Sequence, residues 1–242
     1  MNAAGTALVV AAPVLLGALA QRATGLGLAL VGAPFLVAIL GPRDGVTFGN
    51  ALQVLLCAVV LARTARGVDL RAAGMLLLGA VVAVPFGAVV VDVLPEGPLL
   101  VVVGLLAVAA VGLSLAPRLG GWMHGTPGAL AAGAIAGFVN VTAGVGGPMI
   151  SAYALVRQWS MAVLVPTAQV VLLGINLVAL ASKGLPRLDG AVWIAGVAAL
   201  ALGVALGDVV QRHLDPQTAR RAVAVLALAG GLATVVRGVL TS

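Results

Sequence analysis

One basic residue stands well inside an apolar run. Arg22 follows a stretch, 3–20, that holds no charge at all. A charged side chain at membrane depth costs at least a few kcal/mol and faces a cavity or a partner. No acidic residue lies within 5–40 or 127–156 to neutralise it. A guanidinium without a carboxylate is available to an anion, and its planar fork fits carboxylate, phosphate or sulfonate oxygens. The competing reading is that Arg22 snorkels from a shallow position to the surface.

Two glycine-rich breaks interrupt apolar sequence. Gln21-Arg22-Ala23-Thr24-Gly25 interrupts the run 5–40, with Gly27 just beyond it, and Asn140-Val-Thr-Ala-Gly144-Val-Gly146-Gly147-Pro148 interrupts 127–156. Proline lacks an N–H and fits the first turn of a helix, so Pro148 reads as a restart. Free N–H groups and the positive dipole end of the new helix then point at whatever fills the break. The predicted substrate-binding set is Arg22, Thr24, Gly25, Gly27, Gln53, Asn140, Thr142, Gly144, Gly146, Gly147 and Gln169. Gln53 and Gln169 stand 116 positions apart in similar contexts. The plainer alternatives are that the glycines only permit close packing and that the amides only bridge helices, at about 1 kcal/mol each. Gly133/Gly137 and Gly203/Gly207 are assigned to packing. Asn50, Asn176 and Asp208 are weaker site candidates, and Cys57 reads as a packing residue.

Catalytic and metal chemistry have no carriers. His124 and His213 lack metal-ligand spacing, and no Walker, GxSxG or HExxH pattern occurs. No enzyme activity, metal or cofactor is expected.

The elements that would hold these residues follow from composition. Of 242 residues 62% are hydrophobic and only 8% charged, against about 45–50% and about 25% in soluble domains. That excludes a soluble globular domain. Thirteen basic residues are spread thinly, so the net charge of +6 marks topology rather than a nucleic-acid patch. No Lys or Arg precedes Arg22, so the first apolar stretch is not read as a cleaved leader. A membrane span needs about 20 apolar residues. Six segments meet this: 46–61, 71–91, 98–116, 162–182, 191–210 and 221–236. The apolar runs 5–40 and 127–156 are too long for one span and are broken within, so each is read as a re-entrant helical hairpin. For the first, two short spans remain an alternative.

The order hairpin, span, span, span occurs twice, over 1–120 and 127–242. Similar residues flank the breaks: Gly17-Ala-Leu-Ala20 and Gly133-Ala-Ile-Ala136. The fold class expected is an all-α integral membrane protein of two repeats. A hairpin returns to its starting side and three spans then cross, so the second repeat is inverted. Arg22 apart, this topology places 8 basic residues (Arg63, Arg66, Arg71, Arg118, Arg157, Arg212, Arg220, Arg221) on one side. It places 4 (Arg43, Lys183, Arg187, Arg237) on the other. The positive-inside rule makes the first side cytoplasmic and puts both termini outside.

The segment Gly133-Ala-Ile-Ala-Gly137-Phe-Val-Asn140-Val-Thr-Ala-Gly144-Val-Gly146-Gly147-Pro148 resembles the second-half signature of the TauE/SafE family of sulfite and organosulfonate exporters. Gly17-Ala-Leu-Ala-Gln21-Arg22-Ala-Thr24-Gly25-Leu-Gly27, running to Gly32-Ala-Pro34, is similar to its first-half signature. Leu28-Ala29 departs from it, where members often carry more glycines. The resemblance implies a multi-pass carrier in the cell membrane, moving small sulfur-containing or carboxylate anions outward. Substrate would sit at the midplane between the two broken-helix tips. The alternative function is an anion channel or a structural membrane subunit. The partners expected are a small anionic substrate and the lipid bilayer, with a homodimer allowed and nucleic acid excluded.

Overall fold

The computed structural model describes residues 3–24, 27–115, 122–213 and 216–241. Every regular element in them is helical. The chain runs α1 (Ala3–Thr24), a π-helical turn (Leu28–Gly32) continuing into α2 (Ala33–Leu40), and α3 (Pro42–Thr64). A 3₁₀ turn (Ala65–Gly67) leads to α4 (Leu70–Val93), then α5 (Glu96–Leu115). The same order follows again: α6 (Gly125–Ala143), α7 (Gly147–Val156), α8 (Met161–Lys183), α9 (Gly190–His213) and α10 (Pro216–Leu240).

Eight helices among the described residues are long and apolar enough to cross a membrane. Six correspond to the expected spans, and each begins or ends outside its hydropathy limits. The segments 46–61 and 221–236 become helices of 23 and 25 residues. The reason is physical. Hydropathy marks the part of a helix that lipid must cover. The helical backbone runs on through Pro42, Arg43 and Asp44 at one end of α3 and Arg63 at the other, because charged ends can reach water. Elsewhere a side chain sets the start. Asp69 accepts the Ala72 N–H at 3.0 Å and caps α4.

The two remaining long helices lie in the expected hairpins, whose arms are unequal. α1 has 22 residues and α6 has 19, about 33 and 28 Å at 1.5 Å per residue. The returning arms are shorter, Leu28–Leu40 and Gly147–Val156. The breaks are also narrower than the polar sequence suggested. Gln21 to Thr24 and Asn140 to Ala143 stay helical, because single amides and hydroxyls are satisfied within or between helices. Each returning segment runs back alongside the helix before it. A Cβ on Gly17 would lie 3.1 Å from Leu28 Cα, and one on Gly32 would lie 3.6 Å from Pro13 O. At the other hairpin, Gly125 and Thr126 at the start of α6 line one cavity with Tyr153 and Arg157 at the end of α7.

Packing pairs the two halves of the chain. α1 runs along α9 and α6 along α4, while α5 packs on α10 and α3 on α8. The last two pairs are antiparallel. Gly104 meets Gly231 and Val235, whereas Gly97 and Val101 meet Gly238. The end of α3 at Gly67 meets Ala162 and Pro166 at the start of α8. Small residues bring backbones close, as packing without a hydrophobic driving force requires. A Cβ on Gly133 would overlap Leu76 O, and one on Gly137 would lie 2.8 Å from Ala80 Cα. A Cβ on Gly203 would lie 2.9 Å from Leu15 O of α1. Leu78, Phe86, Ile194, Leu202 and Val236 point outward as the lipid-facing surface.

Charges gather at the two ends. Arg43 pairs with Asp92, and Arg237 lies 3.7 Å from Glu96. Arg71, Arg157 and Asp69 line the cavity at the opposite end.

Candidate functional site

The second tip is built around one left-handed residue. Gly144 has φ 75°, and its N–H bonds Asn140 O at 2.8 Å, ending α6. A Cβ is disfavoured in that region, so glycine suits the position. Asn140 is 2% exposed and works in two directions. Its Oδ1 accepts the Gly146 N–H at 3.3 Å, and its Nδ2 donates to Asn176 Oδ1 at 2.9 Å. Asn176 in turn donates to Leu172 O at 2.7 Å, so α8 fixes the amide that fixes the tip. Gly146 is the close-approach residue: a Cβ there would lie 2.6 Å from Ala136 O. Gly147 opens α7, with Pro148 in its first turn. The tip lies beside the other hairpin. A Cβ on Gly144 would be 3.1 Å from Ala33 Cβ and 3.9 Å from Val46 Cγ1.

The first tip repeats the device. Gln21, 5% exposed, accepts the Leu28 N–H at 3.1 Å across the break. Gly27 sits so close to Ala20 and Gln21 that a Cβ would overlap them. Each tip thus has an amide one turn before the break, a glycine pressed on the outgoing helix, and a captured N–H on the returning one. Gly25 lies outside the described residues, as do the side chains of Arg22, Thr24 and Asp208, and as does Arg118.

The other predicted residues are buried but not all drawn to the tips. Thr142 spends its proton on Phe138 O at 2.7 Å within α6, which leaves its hydroxyl only acceptor lone pairs. Gln53 lies in α3, 5% exposed, with Nε2 3.6 Å from Cys57 Sγ. Gln169 is 4% exposed on α8, and its Oε1 has no partner among the described residues. The same holds for Nδ2 of Asn50, which is 1% exposed. A buried amide atom left unpaired costs free energy unless water or a ligand reaches it. The described buried polar residues are all neutral: Gln21, Thr47, Asn50, Gln53, Asn140, Thr142, Thr167, Gln169, Asn176 and Thr234. The amides in this set can donate hydrogen bonds to an anion without competing for its charge, whereas Thr47, Thr142 and Thr234 donate to backbone carbonyls.

Sequence reasoning left out three contributors. Gln21 was read only as part of the break, although it stands one turn ahead of it like Asn140. Asn176 was ranked among the weaker candidates, and its partner Asn140 lies 36 positions away, beyond the reach of any local pattern. Lys183 was read as a topology marker, yet its ammonium donates to Val141 O at 2.9 Å. One signal was available: Gln169, Asn176 and Lys183 recur every seven residues and so share a face of α8. No group of three His, Cys, Asp or Glu residues gathers among the described residues.

The family model described as Sulfite exporter TauE/SafE matches residues 9–234, taking in both tips and all ten helices in whole or part. The chain belongs to the TauE/SafE sulfite exporter family. Comparison with curated proteins and with solved structures gave no match. Membership makes the chain a membrane protein of a transporter family, with a small anion of the sulfite or sulfonate kind as the cargo the family implies.

Proposed function

We propose that the protein is a secondary exporter of sulfite or a small organosulfonate across the plasma membrane. The observation that carries this reading is the pair of amide-braced tips in a chain matching the family over 9–234. Binding draws on N–H groups of the two returning helices, on Arg22 and Thr24, and on the amides of Gln53, Asn140 and Gln169, while Thr142 takes part only by releasing Phe138 O. Gly25, Gly27, Gly144, Gly146 and Gly147 let backbone approach the anion. The neutral buried set leaves Arg22 to supply charge, and the helix N-termini add partial positive charge where donors are already oriented.

The two halves are inverted repeats and the two hairpins are re-entrant. Supporting this, α5 and α10 hold corresponding places in the element order yet pack antiparallel, as do α3 and α8. The returning arms, of 13 and 10 residues, are too short to cross. Rocking of one half against the other would expose the tips alternately. With the Arg71 end in the cytoplasm, outward movement of an anion gains about 2.3 kcal/mol per charge per 100 mV of inside-negative potential. No coupling ion is needed on those energetics.

Counterflow of labelled sulfite and of a labelled sulfonate in proteoliposomes tests the reading. Saturable exchange supports the carrier. Flux that rises linearly with concentration would instead make the protein a channel.

A further inference from the structure

We propose that Lys183 is an anion ligand that forms a second binding station beside the second tip, at the Arg43 end of the pathway. This rests on the carrier reading above and adds a residue and a place to it.

Lys183 is the one lysine in the chain and the last residue of α8. It is part-buried, and its ammonium is held at the tip by Val141 O. That carbonyl belongs to the last turn of α6, where the helix supplies no partner of its own. The ammonium has three N–H donors, and the carbonyl takes one. Among the described residues no carboxylate pairs with it. The acids of the neighbouring rim are engaged elsewhere, Asp92 with Arg43 and Glu96 with Arg237. Asp44 sits in the first turn of α3 and makes no ion pair with Lys183. A cation so placed at the edge of the apolar region, without an acid, is favourable ground for a mobile anion.

A second observation points to the same spot. Val46 lies beside Gly144, and Asn50 is one helical turn further along the same face of α3. Asn50 Nδ2 is a buried donor without a partner among the described residues. An ammonium with free donors and an unpartnered amide N–H one turn from Val46 suit a compact oxyanion with several acceptor oxygens, a sulfite or sulfonate head. Asn176 and Lys183, two turns apart on α8, hold the adjacent tip residues Asn140 and Val141. An anion that draws the ammonium away from Val141 O removes one of these two ties.

The test uses the full-length chain in nanodiscs, with thermal unfolding followed against sodium sulfite and sodium methanesulfonate at constant ionic strength. Lys183→Gln should weaken the anion response about 10- to 150-fold, the span that loss of charge-assisted hydrogen bonds gives. Lys183→Arg should keep most of it. A purely structural role as a cap on α6 predicts a lower melting temperature for Lys183→Gln with an unchanged anion response, and that result would overturn the proposal. A second measurement needs no variant. Acylation of the sole lysine in the wild type, read by mass spectrometry apart from the N-terminal amine, should slow at saturating methanesulfonate. An unchanged rate overturns the proposal even if Lys183→Gln does not fold. Absence of any anion response in the wild type sinks the substrate reading and this station with it. A response kept in full by Lys183→Gln sinks the station alone.

Discussion

Removal of the Asn140 amide tests whether the second tip is held by the network described above. Asn140→Ala leaves the Gly146 N–H and Asn176 Oδ1 without their partners. Each orphaned buried group costs about 1–3 kcal/mol. The Gly146 bond is long, 3.3 Å, and belongs at the low end, while the 2.9 Å bond to Asn176 has good length. The expected destabilisation is therefore about 2–4 kcal/mol. A double-mutant cycle with Asn176→Ala separates the pair from its surroundings. Loss of the Asn176 bond to Leu172 O occurs in both arms of the cycle and cancels. Interhelical hydrogen bonds in membrane proteins average about 0.6 kcal/mol and reach about 1.7, so the coupling should fall between those values. Reversible unfolding in bicelles, followed for wild type, both single variants and the double variant, gives the number. Additivity within about 0.3 kcal/mol would mean that the two amides do not act together and that the tip is held by packing alone.

Arg22→Gln should weaken anion affinity roughly 10- to 150-fold, as charge-assisted bonds contribute about 1.5–3 kcal/mol each. Arg22→Lys should recover part of that, and equal affinity in Arg22→Gln on folded protein would mean that Arg22 snorkels. Gly144→Ala forces a Cβ into the left-handed region and to 3.1 Å from Ala33 Cβ. The expected cost is about 1–3 kcal/mol, read as a lower denaturant midpoint. Gly133→Val puts side-chain atoms onto Leu76 O and should separate α4 from α6, seen as loss of folded yield, whereas Gly74→Val, with open space around it, should express normally. In a Cys57→Ala background, cysteines at Arg66 and Arg187 should react with an impermeant maleimide from opposite sides of the membrane. Reaction from one side only would remove the inverted topology.

Much of the architecture was legible because lipid imposes a simple rule. A backbone that crosses hydrocarbon must be a long apolar helix, so 62% hydrophobic residues and 8% charged ones declare the class. Spans could be counted, and the order of elements could be seen to repeat. Their limits could not be read, since α3 and α10 extend through charged residues that reach water from inside a helix. The arms of the hairpins were misjudged for a related reason. Asn140 and Thr142 look like a break in sequence but are helical in the fold, because Asn176 and Phe138 O satisfy them.

The sequence by itself determined that the chain is a membrane protein with two glycine-broken segments, and it marked Asn140, Gly144 and Gly146 as exceptional. These follow from composition and local backbone chemistry, which need no knowledge of neighbours. Tertiary structure alone decided what each polar group does. Asn140 meets Asn176 from 36 positions away, Lys183 meets Val141 from 42, and Gly144 comes to rest against Ala33. In an interior this apolar a polar atom takes whichever partner the helix packing brings within 3 Å or so. That choice is made by the crossing of α6 with α4 and α8, which no local pattern encodes.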